Sequence, residues 1–191
     1  MNKPSVIFET IFGSHLYGTN HADSDNDTYR VVSELGGRRK NKTKHIIAEK
    51  EDVFTIDLKS FLNEAHFAHP QALEAMFSPL ATESSFSAYR RGFRVSLSVM
   101  HESYSERVIV ESRGSMKQRR HALRYALNFR EAVKRGGIFN PVLSPAEAAW
   151  VKEMASSSNY CKAVKSVFPY EITLEEELIT SNIEKENTSA L

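Results

Sequence analysis

The most constraining feature of this sequence is the stretch from Gly13 to Asp27, which reads GSHLYGTNHADSDND. It ends in Asp-x-Asp and leads directly into a run, 29–32, that is rich in strand-forming residues. Because strand side chains alternate between faces, Asp25 and Asp27 are expected on the same face. Two neighbouring carboxylates repel unless a cation lies between them, and Mg²⁺ commonly takes one or two carboxylates together with substrate phosphates. The pattern therefore predicts a magnesium site.

The start of the same stretch predicts a phosphate-binding turn. Gly13 and Ser14 provide backbone N–H groups and a hydroxyl at a turn, which suit a phosphate oxygen. The turn is not a P-loop, because no Gly-Lys-Ser/Thr follows, and Ser14 does not lie in a Gly-x-Ser-x-Gly elbow. A phosphate-binding turn beside metal-binding carboxylates indicates nucleotide chemistry.

Two other interpretations of these acidic residues compete with a magnesium site. An EF-hand calcium loop would use positions 1, 3, 5 and 12, which here are Asp23, Asp25, Asp27 and Glu34. Its sixth position should be Gly and is Thr28, and the flanking residues favour turn and strand rather than helices. A plain Asx-rich surface turn is the second alternative, but it accounts for neither the Gly-Ser turn nor a third carboxylate.

The combination of Gly13-Ser14, Gly18 and Ser24-Asp25-x-Asp27 resembles the polymerase-β-like nucleotidyltransferase superfamily. Within it, the pattern is similar to a branch of small bacterial and phage predicted nucleotidyltransferases with the motif GSxxYG…SDxD. The resemblance covers residues 5–77 strongly. It implies an α+β fold, with a small mixed sheet and flanking helices, followed by a helical C-terminal half. It also implies Mg²⁺-dependent transfer of NMP from an NTP to a hydroxyl, with Asp25 and Asp27 bridging two Mg²⁺ ions.

A third carboxylate is expected from the predicted strand 53–58. An acidic residue is unusual within an apolar strand, so the presence of Asp57 indicates a specific structural or functional role. The superfamily has a third metal ligand on the strand beside the Asp-x-Asp strand, and Asp57 matches that place by resemblance. The alternative is that Asp57 caps a helix starting near Lys59.

Glu74 is a further candidate from the resemblance. The segment 69–77 is similar to the NPxxLExLF stretch of the same branch, with His69 in place of the usual Asn, and Pro70 suits the first turn of a helix. The two interpretations of Glu74 are a contact with the metal shell or a substrate hydroxyl, and an exposed helix residue.

The predicted helix 115–135 carries Lys117, His121, Arg124 and Asn128 on one face. Its Lys-x-x-x-His-x-x-Arg pattern is similar to a helix of the same branch, although Tyr125 stands where that pattern usually has Leu. The functional hypothesis is that Lys117 and Arg124 bind the triphosphate or an acceptor phosphate. The alternative is a solvated amphipathic face.

The remaining pattern predicts two domains, a catalytic domain over 1–78 and a helical domain over 79–191. Further predicted elements are a strand over 6–12, a helical turn over 15–19, a second strand near 28–33, one or two helices within 84–105, a helix from Ser144-Pro145 to about 155, and a final helix from a Thr173–Glu176 capping box followed by a frayed tail at 185–191.

The composition indicates the cellular compartment to expect and argues against a membrane protein. A single cysteine, Cys161, excludes an internal disulfide and agrees with a reducing compartment. There is no long apolar run for a membrane span and no apolar leader at the N-terminus. The sequence thus predicts a cytoplasmic protein, in the host cytoplasm if it is phage-encoded, with no membrane partner.

The acceptor and the oligomeric state stay open at this stage. The net charge is only +1, but the loop Arg38–Lys44 is strongly basic, which favours a nucleic acid weakly. An RNA 3′ end, a protein side chain and a small-molecule hydroxyl all fit the same catalytic half. The alternative function is an antitoxin-like or binding module of the same fold that acts through a partner protein.

Overall fold

The computed structural model describes residues 4–20, 24–35, 43–48 and 51–189. The chain divides into two compact units. The first contains the residues up to Val95 together with Asn140–Leu143, and the second contains Ser96–Phe139 and the residues from Ser144 onward. A mixed sheet with flanking helices and a helical C-terminal half confirm the predicted α+β class.

The first unit is built on a four-stranded sheet. Its strands are β1 (Val6–Phe12), β2 (Asn26–Val32), β3 (Thr43–Ala48) and β4 (Glu51–Asp57), and their spatial order is β1-β2-β4-β3. The strands β1 and β2 are antiparallel, β2 and β4 are parallel, and β3 and β4 form an antiparallel pair. The predicted first strand is confirmed, the second begins two residues earlier than expected, and β3 has no counterpart among the predicted strands.

Four helices complete this unit, and the first of them follows β1 directly. The predicted helical turn at 15–19 starts two residues earlier, and the helix at Pro70 begins with proline at its first turn, as predicted. The helices are α1 (Gly13–Tyr17), α2 (Leu58–His66), α3 (Pro70–Phe77) and α4 (Ser87–Gly92).

An aromatic core joins one face of the sheet to these helices. Tyr29, on the central strand β2, is buried against the rings of Phe54 and Phe61, with ring centroids 5.0 and 6.1 Å away. Phe8 on β1 contacts Phe61 edge to face and stacks on Phe86, which immediately precedes α4. Burial of such large apolar rings is the main source of stability for a small unit of this kind.

The first unit includes α4, which lies beyond Ser78, the predicted end of the catalytic domain. The division into a catalytic and a helical domain stays a prediction. Arg90 on α4 lies over the ring of Phe8, 4.9 Å from its centroid, and donates hydrogen bonds to the carbonyls of Met76 and Ser78 at the end of α3. A guanidinium at a helix C-terminus satisfies carbonyls that have no partner within the helix. These contacts attach α4 to the sheet layer, and therefore the first unit ends at Val95.

The second unit contains five helices within the described residues. The predicted helix over 115–135 and the predicted helix from Ser144-Pro145 are both confirmed. Each begins with a capping box that the sequence analysis did not identify, formed by Ser115 with Gln118 and by Ser144 with Glu147. The final helix begins at Glu176 rather than near Thr173 and continues to Ser189, so the expectation of a frayed segment is wrong for residues 185–189. The helices are α5 (Leu97–Ser112), α6 (Met116–Lys134), α7 (Pro145–Met154), α8 (Tyr160–Val167), which has no counterpart among the predicted elements, and α9 (Glu176–Ser189).

Arg119 holds three parts of the second unit together. Its fully buried side chain donates to the carbonyl of Ala155 after α7 at 2.6 Å and to that of Gly114 before α6 at 2.7 Å, and it forms an ion pair with Glu186 on α9. Arginine is rarely fully buried unless it is paired. Its pairing with Glu186 explains why α9 extends past the predicted end.

In the described part of the chain, none of the helices combines the length and the apolar character needed to cross a membrane.

Replacing Arg119 by alanine should lower the free energy of unfolding by about 3 kcal/mol or more, because two carbonyls and Glu186 lose their partner. Arg130→Ala is the matched control on the same helix, since Arg130 is partly exposed and its ion pair with Glu147 is 3.3 Å long. This control should lose less than about 1 kcal/mol. Urea unfolding measures both, and equal losses would contradict the structural role of Arg119.

Candidate functional site

The Gly-Ser turn lies directly against the carboxylate of Asp27. β1 ends at Phe12, which pairs with Asp27 across the antiparallel ladder. Gly13 follows with φ +62°, and a Cβ atom at this position would lie only 1.8 Å from Oδ2 of Asp27. Only glycine combines this positive φ with so close an approach. The structure thus brings together Gly13 and Asp27, the two parts of the motif that the sequence placed fourteen residues apart.

Ser14 follows Gly13 directly, and Asp25 lies two residues before Asp27. Ser14 is the second residue of α1, and Phe12 at the helix N-cap provides no side-chain cap to the first-turn N–H groups. Asp25 immediately precedes β2 and is exposed, whereas Asp27 is the second residue of β2 and is half-buried. The imidazole of His15 lies 3.4 Å from the carbonyl of Ser24. The turn and the start of β2 therefore form one continuous local surface.

A carboxylate that the sequence analysis missed lies beside Asp27. The parallel register of β2 and β4 pairs Asp27 with Asp52, and directly paired residues share a face of the sheet. The carboxylate of Asp52 also contacts the imidazole of His45 on β3. The sequence signal for Asp52 was an acidic residue just before the predicted strand 53–58. Only the pairing of β2 with β4 shows that Asp52 lies beside Asp27.

Asp57 is not brought together with Asp25 and Asp27. It pairs with Val32 at the far end of β4, five positions beyond Asp52, which corresponds to about 16 Å along the strand. The odd spacing also puts it on the opposite face from Asp52. Its carboxylate accepts hydrogen bonds from the amide and hydroxyl of Ser60, at 3.0 and 2.8 Å, and caps α2. The helix-cap alternative is confirmed, and the metal role of Asp57 stays a prediction that this register does not support.

Glu74 is fully buried, so its interpretation as an exposed helix residue is wrong. The hydroxyl of Tyr17, the last residue of α1, donates a 2.8 Å hydrogen bond to Oε2 of Glu74 on α3. Glu74 thus contacts the helix that carries the Gly-Ser turn. The predicted contact with a metal shell or substrate hydroxyl stays a prediction.

The predicted polar face of α6 lies in the second unit. Lys117 is exposed, but Arg124 and Asn128 are buried, so a merely solvated face is wrong for these two residues. The guanidinium of Arg124 lies 5.2 Å from the ring centroid of Tyr125. Burial, together with the nearby charges of Arg124 and Lys117, lowers the pKa of His121 to about 3. The helix therefore concentrates positive charge, and the binding of phosphates by Lys117 and Arg124 stays a prediction.

The acidic residues beside Asp27 have the oxygen ligands that Mg²⁺ prefers in proteins. Within residues 4–20, 24–35, 43–48 and 51–189, no group of three or more His, Cys, Asp or Glu side chains is arranged to hold a metal ion. The pair Asp27 and Asp52, with a backbone turn packed on Asp27, nevertheless suits the usual magnesium arrangement of one or two carboxylates plus substrate phosphates.

Comparisons with known proteins identify no family for this chain. No protein-family model matches it, and the comparison with curated proteins found no match. Among solved structures, it is similar to a nucleotidyltransferase-like protein from Exiguobacterium sibiricum 255-15, with 12% identity over 97% of this chain and 70% of that chain and a TM-score of 0.33. This likeness is too loose to assign a role to any residue.

Gly13→Ala should lower the free energy of unfolding by about 2 kcal/mol or more, because the new methyl group meets Asp27 at a positive φ. Gly136→Ala is the control for φ alone, since Gly136 has φ +67° and open space around it. In an Asp27→Ala background, the cost of Gly13→Ala should approach that of Gly136→Ala. Denaturant unfolding of the four variants tests this, and an equal cost in both backgrounds would exclude the close contact.

Acidification should destabilise the protein through His121. The unfolded chain binds this proton near pH 6.5 and the folded protein only near pH 3, so the unfolded state holds more protons between these values. Stability should therefore fall as the pH drops from about 6.5 towards 3. His121→Gln should reduce this fall, as measured by urea unfolding at pH 7 and pH 5. An unchanged difference between the two pH values would show that His121 titrates normally.

Proposed function

We propose that this protein is a metal-dependent nucleotidyltransferase that transfers NMP from an NTP to a hydroxyl acceptor and releases pyrophosphate. The observation that carries the proposal is the packing of the Gly13 backbone against the Asp27 carboxylate. A nucleotide at this position would meet turn amides for its phosphates and carboxylates for its cation at once.

The carboxylates proposed to hold Mg²⁺ are Asp27 and Asp52, which are directly paired in the sheet. Asp25, which is exposed just before β2, stays a predicted ligand. Asp52 is proposed in place of Asp57, the ligand that the resemblance implied. When bound, a pair of such ions would stabilise both the attacking and the leaving oxygens of an in-line displacement. The contact between the His45 imidazole and Asp52 would have to give way to the contact between Asp52 and the cation.

The remaining residues bind and orient the substrates. The amides of Gly13 and Ser14 and the Ser14 hydroxyl would bind the β- and γ-phosphates. The binding of phosphates by Lys117 and Arg124 stays a prediction. The acceptor oxygen forms a bond to the α-phosphorus while the bond to the bridging oxygen of the β-phosphate breaks. Asp52 would accept the proton of the acceptor hydroxyl.

The nature of the acceptor is part of this proposal. An RNA 3′ end and a protein side chain are the two acceptors that we propose to test. Most of the basic loop Arg38–Lys44 lies outside the described residues, and of its cations only Lys44, on β3, lies within them. The expectation that this loop binds nucleic acid therefore stays a prediction.

The proposed reaction can be tested directly. The purified protein is incubated with Mg²⁺ and each α-labelled NTP in turn, with total RNA in one arm and cell extract in the other. Transfer of label that EDTA abolishes, and that Asp27→Asn lacks, is the expected result. Nucleotide binding without any transfer would favour the binding-module alternative, and neither binding nor transfer would contradict the proposal.

Asp52→Asn and Asp57→Asn form a matched pair that locates the third carboxylate. Asp52→Asn should lower kcat at least about a hundredfold, because an amide cannot replace a carboxylate that binds metal or accepts a proton. Asp57→Asn should change kcat little, because asparagine caps a helix about as well as aspartate. Initial rates of label transfer decide between them, and the reverse pattern would restore Asp57 as the ligand.

A further inference from the structure

We infer that Tyr17 and Glu74 are positioning residues that hold the Gly-Ser turn against Asp27. The inference rests on the proposed function, since it assigns these two residues a part in the same site. It starts from two buried groups: Glu74 is fully buried, and Tyr17 is 4% exposed. Their hydrogen bond, from the Tyr17 hydroxyl to Oε2 of Glu74, joins α1 to α3 at 2.8 Å.

The helix α1 cannot hold its own position. It has only five residues, whereas isolated helices need about 12–15 residues to be even marginally stable in water. It begins at Gly13 and is followed by Gly18, both with positive φ, and its N-cap residue supplies no side-chain hydrogen bond. The placement of the turn therefore depends on tertiary contacts made by the residues of α1.

The helix α3 is a suitable anchor for α1. Its residues 72–76 are all buried, and its C-terminal end is bound by Arg90 through the carbonyls of Met76 and Ser78. A carboxyl group is costly to bury unless it is hydrogen-bonded. A buried glutamate in such a rigid element, with a tyrosine of α1 as a partner, therefore fixes the distance between α3 and the turn.

The position of α1 matters for catalysis because a bound nucleotide has to contact the Gly-Ser turn and Asp27 at the same time. Tyr17 is four residues from Gly13, so a shift of α1 moves the Gly13–Asp27 contact with it. A misplacement of about 1 Å at a site that works by positioning can cost about a hundredfold in rate. Neither Tyr17 nor Glu74 needs to touch the substrate for this effect.

The test is Tyr17→Phe, which removes one oxygen and keeps the ring that packs edge to face on Phe12. Its matched control is Tyr160→Phe, which removes an equally buried phenol hydroxyl from a 2.7 Å hydrogen bond with Ser112 in the second unit. Both variants should lose similar stability. Only Tyr17→Phe should lose kcat, by about ten- to a hundredfold, and equal kcat values for the two variants would overturn the inference.

Two variants of Glu74 separate positioning from direct chemistry. Glu74→Gln keeps an oxygen that can accept the hydrogen bond from Tyr17, and it should lose less kcat than Glu74→Ala. If Glu74 bound the metal instead, glutamine would be as inactive as alanine, and this result would contradict a positioning role. Where Glu74→Ala fails to fold, the kcat of Glu74→Gln is compared with that of Tyr17→Phe. A smaller loss in Glu74→Gln supports the positioning role, and a larger loss contradicts it.

Hydrogen exchange separates a failure of this inference from a failure of the proposed function. Tyr17→Phe should lose amide protection in α1, and Tyr160→Phe should not. If the parent protein transfers no nucleotide, the proposed function fails, and the exchange data alone decide whether Tyr17 anchors the turn. If the parent is active and the protection of α1 is unchanged in Tyr17→Phe, the inference fails while the proposed function stands.

Discussion

The close approach of Gly13 to Asp27 is the constraint on which the rest of the candidate site depends. It requires a residue without a Cβ, at a positive φ, immediately after the strand that pairs with β2. The antiparallel ladder supplies the position, since Phe12 lies opposite Asp27. The short helix α1 then needs support from elsewhere, which Tyr17 finds at Glu74 on α3. The contact between Gly13 and Asp27 thus depends on the sheet, on the turn and on the helices α1 and α3 of the first unit.

Two carboxylates lie side by side in the sheet at the candidate site. Asp27 and Asp52 are directly paired on neighbouring strands, and like charges in such a pair repel. The imidazole of His45 contacts Asp52, and a protonated imidazole would relieve part of this repulsion. A divalent cation between the two carboxylates, as in the proposed function, would also relieve it.

Buried polar side chains have parallel roles in the two units. Glu74 joins α1 to α3 in the first, and Arg119 joins the ends of α6, α7 and α9 in the second. Each unit also has a buried pair of hydroxyl groups, Thr10 with Ser78 and Ser112 with Tyr160. Such groups are stable in an interior only when they are paired, so each of them fixes the separation of the elements that it joins. This accounts for how short helices keep defined positions.

The elements that the sequence predicted well are those with local causes. The first strand, the proline start of α3 and the starts of α6 and α7 depend on residues within one turn or one strand of each other. The Gly-Ser turn and Asp-x-Asp were likewise recognised from short spacings. The length of α9 was underestimated, because its last turns are held by Arg119, a residue remote in sequence.

Long-range pairing decided what the sequence left open. Whether Asp52 or Asp57 lies beside Asp27 depends on the register between β2 and β4, and a shift of one residue would reverse every face of the strand. The burial of Glu74 likewise depends on the packing of α3 against α1, since glutamate is usually exposed and no local pattern marks the exception. The sequence by itself thus determined the Gly-Ser turn and the Asp-x-Asp of the candidate site. Only the tertiary structure decided that Asp52 lies beside Asp27 and that Glu74 is buried, because strand register and helix packing are set by contacts far apart in the chain.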